Sequence, residues 1–382
     1  MIENRIIVCF ASNWHIDPTS KHQVMRLLSQ RNHVVWVNYH ASRRPQASVQ
    51  DLRAILRKLG QIAGGVEEIS PTLHVLTPML VPLPGLPGVK AVNRTLLLRQ
   101  LRGIMASLPR WPVQLWSFAP DAGYMVGRLH EECCLYYCVD EFSEFEGYDK
   151  VRIRHLEQEL MRSASLVITT SAMLQESKSP FNPRTHLVTH GVDFEHFAAA
   201  ARPETVVPDD IRDMRRPLFG FYGLIQHWVD VALIAEIARR RPDWSFVMIG
   251  EALKDISAYR ELPNLRFLGR RSYASLPGYT KAFDVGLIPF ELTELTRHVN
   301  PIKLREYLSA GLPVVSTPLP EVVRYKPLVY VAAGVDAFEA ACTRALAEDS
   351  PAQHAARQEA MSRETWAAKV EQLSQYVEQC RA

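Results

Sequence analysis

The chain has 382 residues, of which 47% are hydrophobic and 22% are charged. At about 100 to 200 residues per domain this length predicts two domains, and the composition excludes a largely disordered protein. The formal net charge of +3 argues against a nucleic-acid-binding protein, and charged residues interrupt every long apolar run, which excludes a membrane-spanning helix.

The first elements form a strand, a helix and a second strand. Residues 5–10 and 33–37 are short apolar runs of the kind found in parallel strands that are covered on both faces. Between them, residues 22–28 have helical apolar spacing after Thr19 and Ser20. This βαβ unit predicts a doubly wound α/β domain. The apolar run at the start is too short for a cleavable signal peptide, so we expect a cytoplasmic protein.

Basic residues are concentrated in the first third of the chain. Residues 1–112 contain 14 Lys and Arg against 5 Asp and Glu, whereas the remainder contains 30 against 36. Residues 52–59 have amphipathic spacing, and residues 97–105 have a related pattern. The basic residues of the first of these segments are Arg53, Arg57 and Lys58. Every covering helix of an α/β domain is amphipathic, but the charge excess favours peripheral binding to the inner, anionic face of a membrane.

Apolar strands and helical segments then alternate to the end of the chain. In the first half, the strands are predicted at residues 73–76, 113–117, 135–139, 165–170 and 186–189. In the second half, they are predicted at residues 218–222, 244–249, 265–268, 284–289, 313–317 and 328–331. Residues 199–217 are rich in proline and in charged residues, and this composition predicts a linker between the two halves.

Cys133, Cys134 and Cys138 lack the further ligands of a zinc site, so we interpret them as buried thiols.

This alternation predicts two doubly wound domains that face a central cleft, where such folds bind ligands. We expect an amino-terminal domain at residues 1–200, a carboxy-terminal domain at residues 201–365, and a helix at residues 366–382 that crosses back to the amino-terminal domain. Dehydrogenases, nucleotide-sugar transferases and periplasmic-type binding proteins all have this organisation.

The strand at residues 218–222 ends at Gly223, before a helix that begins near Asp230. A glycine between a strand and a helix lets backbone amides approach a phosphate. The dinucleotide fingerprint and the ATP-type phosphate loop are both absent from this segment. A tight turn that serves only the fold explains Gly223 equally well.

A second helix carries a cation and a carboxylate at its start. Pro301 suits the first turn, Lys303 lies in that turn, and Glu306 follows three residues later on the same face. A cation here can bind a diphosphate, and the carboxylate can accept hydrogen bonds from ribose hydroxyls. Alternatively, the two residues form a solvated helical pair.

Together with residues 190–193 and 241–250, the segment at residues 300–315 resembles the GT-B-fold glycosyltransferases that use nucleotide sugars. The resemblance implies that the amino-terminal domain binds the acceptor, that Lys303 binds phosphate, that Glu306 binds ribose, and that residues 268–270 border the base. The residues expected to bind the nucleotide sugar are Gly223, Ile225, Arg270, Phe290, Lys303 and Glu306. Many retaining members have a second glutamate eight positions before Glu306, where this chain has His298. Retention of configuration is therefore not predicted.

The apolar strand at residues 135–139 ends at Asp140, in an acidic loop. This segment resembles the inverting, membrane-associated GT-B enzymes of exopolysaccharide synthesis, whose general base is an aspartate at the end of this strand. The resemblance implies Asp140 as the base, with Glu141 and Glu144 as alternatives. A capping role for Asp140, at a helix that begins near Phe142, is the competing interpretation.

Three residues near the amino terminus are candidates for binding the acceptor: Trp14, Lys21 and His22. The Trp14 ring could stack on a sugar ring. A tryptophan that only packs within its loop explains Trp14 equally well. The sequence as a whole predicts a metal-independent, cofactor-free transfer of sugar from a nucleoside diphosphate, UDP, to a hydroxyl of a lipid-linked or polysaccharide acceptor in cell-surface polysaccharide synthesis. The alternatives are a non-catalytic sugar-nucleotide or polysaccharide-binding protein, and an epimerase or phosphorylase on the same fold.

Overall fold

The computed structural model describes residues 1–16, 18–39, 65–81 and 88–380. The basic helix predicted at residues 52–59 lies outside these ranges. The chain divides into two compact units: unit 1 comprises Met1–Val188 and Val370–Ala382, and unit 2 comprises Thr189–Lys369. No helix in the described ranges is long and apolar enough to cross a membrane.

Unit 1 is built on a sheet that has eight strands within the described ranges, in the order β3-β4-β2-β1-β5-β6-β7-β8. The strands are β1 (Ile6–Ala11), β2 (His33–Asn38), β3 (Val66–Ser70), β4 (Leu73–Leu76), β5 (Val113–Ser117), β6 (Cys133–Cys138), β7 (Leu166–Thr169) and β8 (Thr185–Leu187). The helices are α1 (Ser20–Leu28), α2 (Val89–Ala106), α3 (Lys150–Ser163) and α4 (Ala172–Lys178). All neighbouring strands are parallel except β3 and β4, which are antiparallel.

Unit 2 has a six-stranded parallel sheet in its described residues, in the order β11-β10-β9-β12-β13-β14. The strands are β9 (Leu218–Tyr222), β10 (Ser245–Ile249), β11 (Leu265–Gly269), β12 (Val285–Ile288), β13 (Val314–Ser316) and β14 (Tyr330–Val331). The helices are α5 (Phe194–Ala198), α6 (Asp209–Arg212), α7 (Val231–Arg240), α8 (Leu276–Ala282), α9 (Glu294–Arg297), α10 (Ile302–Ser309), α11 (Pro320–Val323), α12 (Val335–Ala347), α13 (Pro351–Ser362) and α14 (Trp366–Gln379).

The central strands are buried along their whole length because helices cover both faces of each sheet. Every residue of β1, β6, β9 and β10 is buried, which explains why the sequence shows them as continuous apolar runs. Cys133, Cys134 and Cys138 are buried in β6, as the sequence predicted. In each unit, the carboxyl ends of the parallel strands lie at one edge of the sheet, where ligands bind in this class of fold.

The segment predicted as a linker is part of unit 2. Residues 199–217 contain α6, and Ile211 is buried in the core of this unit, as is Phe197 just before the segment. The structure therefore corrects the linker prediction. Few apolar residues anchor this segment, and they have no regular spacing that a sequence pattern could reveal.

The last helix, α14, begins in unit 2 and continues into unit 1. Its buried residues Leu373 and Val377 belong to unit 1. The ring of Tyr376 stacks on His186, with the ring centroids 4.1 Å apart. The Cys380 thiol, just beyond the helix, donates a hydrogen bond to the Ser165 carbonyl oxygen at 3.2 Å. The carboxy-terminal residues are therefore an integral part of the first fold.

Candidate functional site

Two glycines and an arginine follow the carboxyl ends of three neighbouring strands of unit 2. Gly223 follows β9 with φ +146°, Gly250 follows β10 with φ +140°, and Arg270 follows β11 with an exposed side chain. A β-carbon at Gly250 would lie 1.9 Å from the carbonyl oxygen of Gly223. Both positions therefore require glycine, because the two turns approach each other at backbone distance and have backbone angles that other residues avoid.

Lys303 lies directly over the first of these glycines. A β-carbon at Gly223 would be 2.2 Å from Cε of Lys303 and 3.1 Å from its Nζ. Lys303 stands in the first turn of α10, whose helix dipole also favours an anion. The cation, the helix start and the open backbone at Gly223 therefore converge on one place, which suits the phosphates of a nucleotide.

Glu306 lies one turn further along α10 and is only 8% exposed. Burial raises the pKa of its carboxyl, and the Lys303 ammonium opposes that shift. The phenol rings of Tyr222 and Tyr273 and the carboxylate of Asp193 are close enough to interact with Glu306. A buried carboxylate beside a cation suits hydrogen bonding to the hydroxyls of a ribose.

Two of the residues predicted to bind nucleotide sugar have other roles in the structure. Ile225 is fully buried, its backbone N–H donates to the Glu251 carbonyl oxygen at 2.9 Å, and its carbonyl oxygen accepts from Leu253. Phe290 is 7% exposed in the same core, and its carbonyl oxygen accepts from the Thr317 hydroxyl at 2.6 Å. Their side chains pack in the core of unit 2, which explains the apolar residues at these positions without a ligand.

In unit 1, Asp140 lies two residues beyond the end of β6 and is partly buried. Burial raises the pKa of its carboxyl to about 6, and the nearby Lys21 ammonium limits that rise. Lys21 itself donates to the Ser12 hydroxyl at 3.3 Å. Within the described ranges, the Asp140 carboxylate accepts no hydrogen bond, and the 3₁₀ turn at Phe142–Glu144 has no side-chain cap. The structure therefore gives no support to the capping interpretation.

The two alternative carboxylates are already neutralised by cations. Glu141 is buried, and its carboxylate accepts from the Lys178 ammonium and the Ser143 hydroxyl, each at 2.7 Å. Glu144 pairs with Lys150 at 2.7 Å and with Arg154 at 3.0 Å. Both groups are held in ion pairs, whereas no cation is bonded to Asp140 among the described residues.

The Lys178 ammonium also binds a second buried carboxylate. Its Nζ lies 2.8 Å from Glu157, whose other oxygen accepts from the Tyr136 hydroxyl at 2.6 Å. Burial alone would lower the pKa of Lys178, but the Cys138 thiol and the carboxylates of Glu157 and Glu141 raise it. The sequence analysis missed this network because its members lie on β6, α3 and α4, far apart in the chain. It anchors the loop that carries Asp140.

Trp14 and His22 belong to a packed cluster at the end of β1. The Trp14 ring lies 5.0 Å from both His22 and Trp36, measured between ring centroids, and is only 6% exposed. His22 is fully buried, and Nε2 lies 3.0 Å from the Trp14 carbonyl oxygen, while burial lowers the pKa of the ring to about 4. Little of the Trp14 ring remains to stack on a sugar. Lys21, next to Asp140, is the member of this group that faces the candidate base.

Groups that suit a metal ion are not found in the described ranges: no three His, Cys, Asp or Glu side chains converge there at metal-binding spacing.

Gly250, Tyr222 and Tyr273 belong to the unit 2 site without having been predicted from sequence. Gly250 and Tyr222 each lie at the end of an apolar strand, and this position is the sequence feature that could have identified them as site residues.

Comparison with known proteins gives a family match that lies within unit 2. Residues 217–348 match the family described as glycosyl transferases group 1. A relative in Bacillus subtilis (strain 168), TuaH, is 32% identical over 175 residues, and its name assigns it to teichuronic acid biosynthesis as a glycosyltransferase. The alignment covers 44% of this chain and 43% of TuaH.

Solved structures match nearly the whole chain. The sucrose-phosphate synthase of Thermosynechococcus elongatus has a TM-score of 0.70 at 15% identity and covers 98% of both chains. HepE of Anabaena, solved with UDP-glucose, has a TM-score of 0.67 at 13% identity and covers 98% of this chain and 99% of HepE. The predicted fold, with two parallel α/β sheets in the GT-B class, is confirmed. At these identities the likeness concerns the fold alone.

Proposed function

We propose, on the premise that residues 217–348 match the glycosyl transferases group 1 family, that the chain transfers a sugar from a nucleoside diphosphate, UDP, to an acceptor hydroxyl. The acceptor is a lipid-linked or polysaccharide molecule of cell-surface polysaccharide synthesis. The name of TuaH, which assigns that relative to teichuronic acid biosynthesis, supports this choice. The protein acts at the inner face of the membrane. The observation that carries this proposal is the position of Lys303 over Gly223, one turn before Glu306.

Unit 2 supplies the donor half of the reaction. Lys303 and the start of α10 neutralise the diphosphate, which gains negative charge as the bond to the sugar breaks. Glu306 accepts hydrogen bonds from the ribose, and the exposed Arg270 borders the base at the end of β11. A lysine and a helix dipole supply positive charge to the leaving group, so in this proposal no metal ion or other cofactor takes part.

Unit 1 supplies the base. Asp140 takes the proton of the acceptor hydroxyl as its oxygen attacks the anomeric carbon, and the diphosphate leaves with the bonding electrons. A pKa of about 6 is well suited to this step, because the carboxylate is ionised at neutral pH and yet more basic than an ordinary aspartate. Direct attack from the face opposite the leaving group inverts the configuration at the anomeric carbon.

The charge distribution supports action at a membrane. Helix α2 contains Lys90, Arg94, Arg99 and Arg102 and no acidic residue, and the exposed side chains on this helix include those of Val92 and Leu96. Basic and apolar groups on one helix surface are typical of proteins that bind anionic lipid. A lipid-linked acceptor would be reached from that surface.

Calorimetry with UDP and uridine, in the presence of EDTA, tests the donor site. We expect UDP to bind without divalent metal. Lys303→Ala should weaken UDP binding about tenfold or more and leave uridine binding nearly unchanged, because it removes only the phosphate contact. Glu306→Gln should weaken both ligands, because it alters the ribose contact.

Lys326→Ala is the matched control, since Lys326 is an exposed lysine of the same unit outside the site. It should bind UDP as the unmodified protein does. Loss of all UDP binding on chelation would contradict the metal-free donor site. Equal losses for UDP and uridine in Lys303→Ala would contradict the role given to Lys303.

A further inference from the structure

A cavity of about 720 Å³ lies within unit 1, apart from the Asp140 loop. Its walls come from α2 and α3, and its floor comes from Tyr39, just beyond β2, and from Asp121 and Tyr124, which follow β5. These residues lie at the carboxyl edge of the sheet, the same edge at which Asp140 follows β6. None of the residues discussed for the donor site contributes to it.

Three guanidinium groups line this cavity. Arg94 is contributed by α2, whereas Arg152 and Arg162 are contributed by α3. Among the residues that the structure describes, none of the three has a carboxylate within 4 Å; Arg162 makes a cation–π contact with Phe181. Unpaired arginines that face one concave surface are typical of sites for phosphate groups.

The carboxylates of the cavity already have partners. Glu159 pairs with His155 at 3.3 Å. Asp121 is buried and hydrogen-bonded to the Tyr39 hydroxyl, and Tyr39 also contacts Tyr124. Burial raises the pKa of Tyr124 to about 12, so its phenol stays protonated. The floor therefore offers the protonated phenols of Tyr39 and Tyr124 beside the Asp121 carboxylate, and the three arginines of the lining outnumber its two carboxylates.

An apolar groove of about 570 Å³ adjoins the cavity and shares Leu80 with it. Met79 and Leu96 line this groove and are exposed to solvent. Two side-chain amides of α2 fix the backbone of residues 79–81, which line the groove, to this helix. Asn93 bonds to both backbone groups of Val81, at 2.7 and 3.0 Å, and Gln100 bonds to both backbone groups of Met79, at 3.0 and 3.2 Å.

We propose that Arg94, Arg152 and Arg162 bind the diphosphate of a lipid-linked acceptor and that the adjoining groove holds the first part of its hydrocarbon chain. This inference rests on the proposed function, whose acceptor class it narrows to a lipid diphosphate. Charge complementarity selects the headgroup, because three guanidinium groups match a group with two or more negative charges. The groove selects an apolar chain attached to that headgroup.

Calorimetry on the full chain, with geranylgeranyl diphosphate as the probe, tests the assignment. Inorganic pyrophosphate and geranylgeraniol serve as the separate halves of this molecule. We expect the intact probe to bind more tightly than either half. Arg94→Gln and Arg152→Gln should each weaken its binding about tenfold, because each removes one charged contact to phosphate. Leu96→Gln should weaken the intact probe and leave pyrophosphate unchanged.

Arg128→Gln is the control, because Arg128 is an exposed arginine of unit 1 that does not line the cavity. Binding of the probe by both cavity variants at the strength of the unmodified protein would overturn the inference. Equal binding of pyrophosphate and the intact probe would also overturn it, in favour of a site for free phosphate. UDP binding on the same samples separates the two claims: if UDP binds and the probe does not, only this inference fails.

Discussion

At the scale of single residues, the Asp140 loop shows how neighbouring carboxylates acquire different roles. Glu141 and Glu144 are held by cations at 2.7 to 3.0 Å, whereas Asp140 has only the electrostatic influence of Lys21. Burial without a bonded cation leaves Asp140 with a raised pKa. Partners, and not position alone, make this residue the candidate base.

Asp140→Asn should lower turnover by a factor of about 10² to 10⁴ and leave UDP affinity unchanged, because the amide cannot accept the acceptor proton. In the unmodified protein, kcat/KM should fall as the pH drops below about 6, where the carboxyl takes up its proton. Sugar transfer measured from pH 5 to pH 8 checks both expectations. Glu144→Gln is the matched control and should retain most of the activity. Full activity in Asp140→Asn would exclude it as the base.

The same substitution should change stability in a pH-dependent way. The folded protein holds the Asp140 proton more tightly than the unfolded chain does, with a pKa of about 6 against 3.8. Ionisation therefore destabilises the fold, and the loss grows as the pH rises from about 4 to about 6. Asp140→Asn removes that penalty, so urea unfolding should show a gain of about 1 to 3 kcal/mol at pH 8 and little gain at pH 4. A variant less stable than the unmodified protein at pH 8 would contradict the raised pKa.

The buried ammonium beneath this loop allows another prediction. Lys178→Met should lower the free energy of unfolding by about 3 to 5 kcal/mol, because it leaves Glu141 and Glu157 buried without their cation. Urea unfolding measures the effect. Lys150→Met is the control, since it removes an exposed partner of Glu144 and should change stability by less than about 1 kcal/mol. Similar losses in the two variants would show that burial of the Lys178 network has no special effect.

The sequence predicted where the candidate residues lie but not which of them are already paired. Lys178 is 37 positions from Glu141, and Lys303 is far from Gly223 in the chain, so neither contact leaves a local pattern. Periodicity likewise could not show that Trp14 packs into a ring cluster or that Ile225 is fully buried. These properties depend on tertiary packing, about which a single sequence contains little information.

At the scale of elements, buried strands were predictable because both of their faces are covered. The apolar runs at residues 73–76 and 113–117 coincide with β4 and β5. Strand β3 was missed because it lies at the antiparallel edge of its sheet, is mostly exposed and contains Glu67 and Glu68. Charged edge strands lack the apolar signal that central strands have.

The junction of β9 with its neighbours gives a prediction at this scale. Gly223→Ala should weaken UDP binding, because the new methyl group would displace the Lys303 side chain. It should also destabilise the fold by about 1 to 3 kcal/mol through its backbone angle. In a Lys303→Ala background, the same change should have little further effect on UDP affinity.

Calorimetry and urea unfolding test this coupling. Gly334→Ala is the matched control, since Gly334 also has a positive φ, of +77°, but a methyl group added there would meet no atom within 4 Å. It should lose stability and keep UDP affinity. Additive losses of UDP affinity in the double variant of Gly223 and Lys303 would contradict the contact between them.

At the scale of the whole molecule, charge is distributed unevenly along the chain. Residues 1–112 have a net charge of +9, whereas the molecule as a whole has +3. Flotation with anionic liposomes should therefore be strong at low salt and weak at high salt, since each basic residue near such a surface contributes about 1 kcal/mol that salt screens. Replacing the exposed Arg99 and Arg102 by Gln should reduce flotation.

Arg363→Gln, which removes an exposed charge from unit 2, is the control and should float normally. Flotation that is insensitive to salt and to lipid charge would contradict an electrostatic attachment.

The path of the last helix also determines the order in which the protein is completed during translation. Residues 189–369 leave the ribosome before residues 370–380, so unit 2 can fold while unit 1 still lacks Leu373 and Val377. Domains fold largely as units during synthesis. Here the unit that begins first is finished last. Until residues 370–380 arrive, the nascent first unit exposes the apolar surface that packs against Leu373 and Val377, and a chaperone can bind that surface.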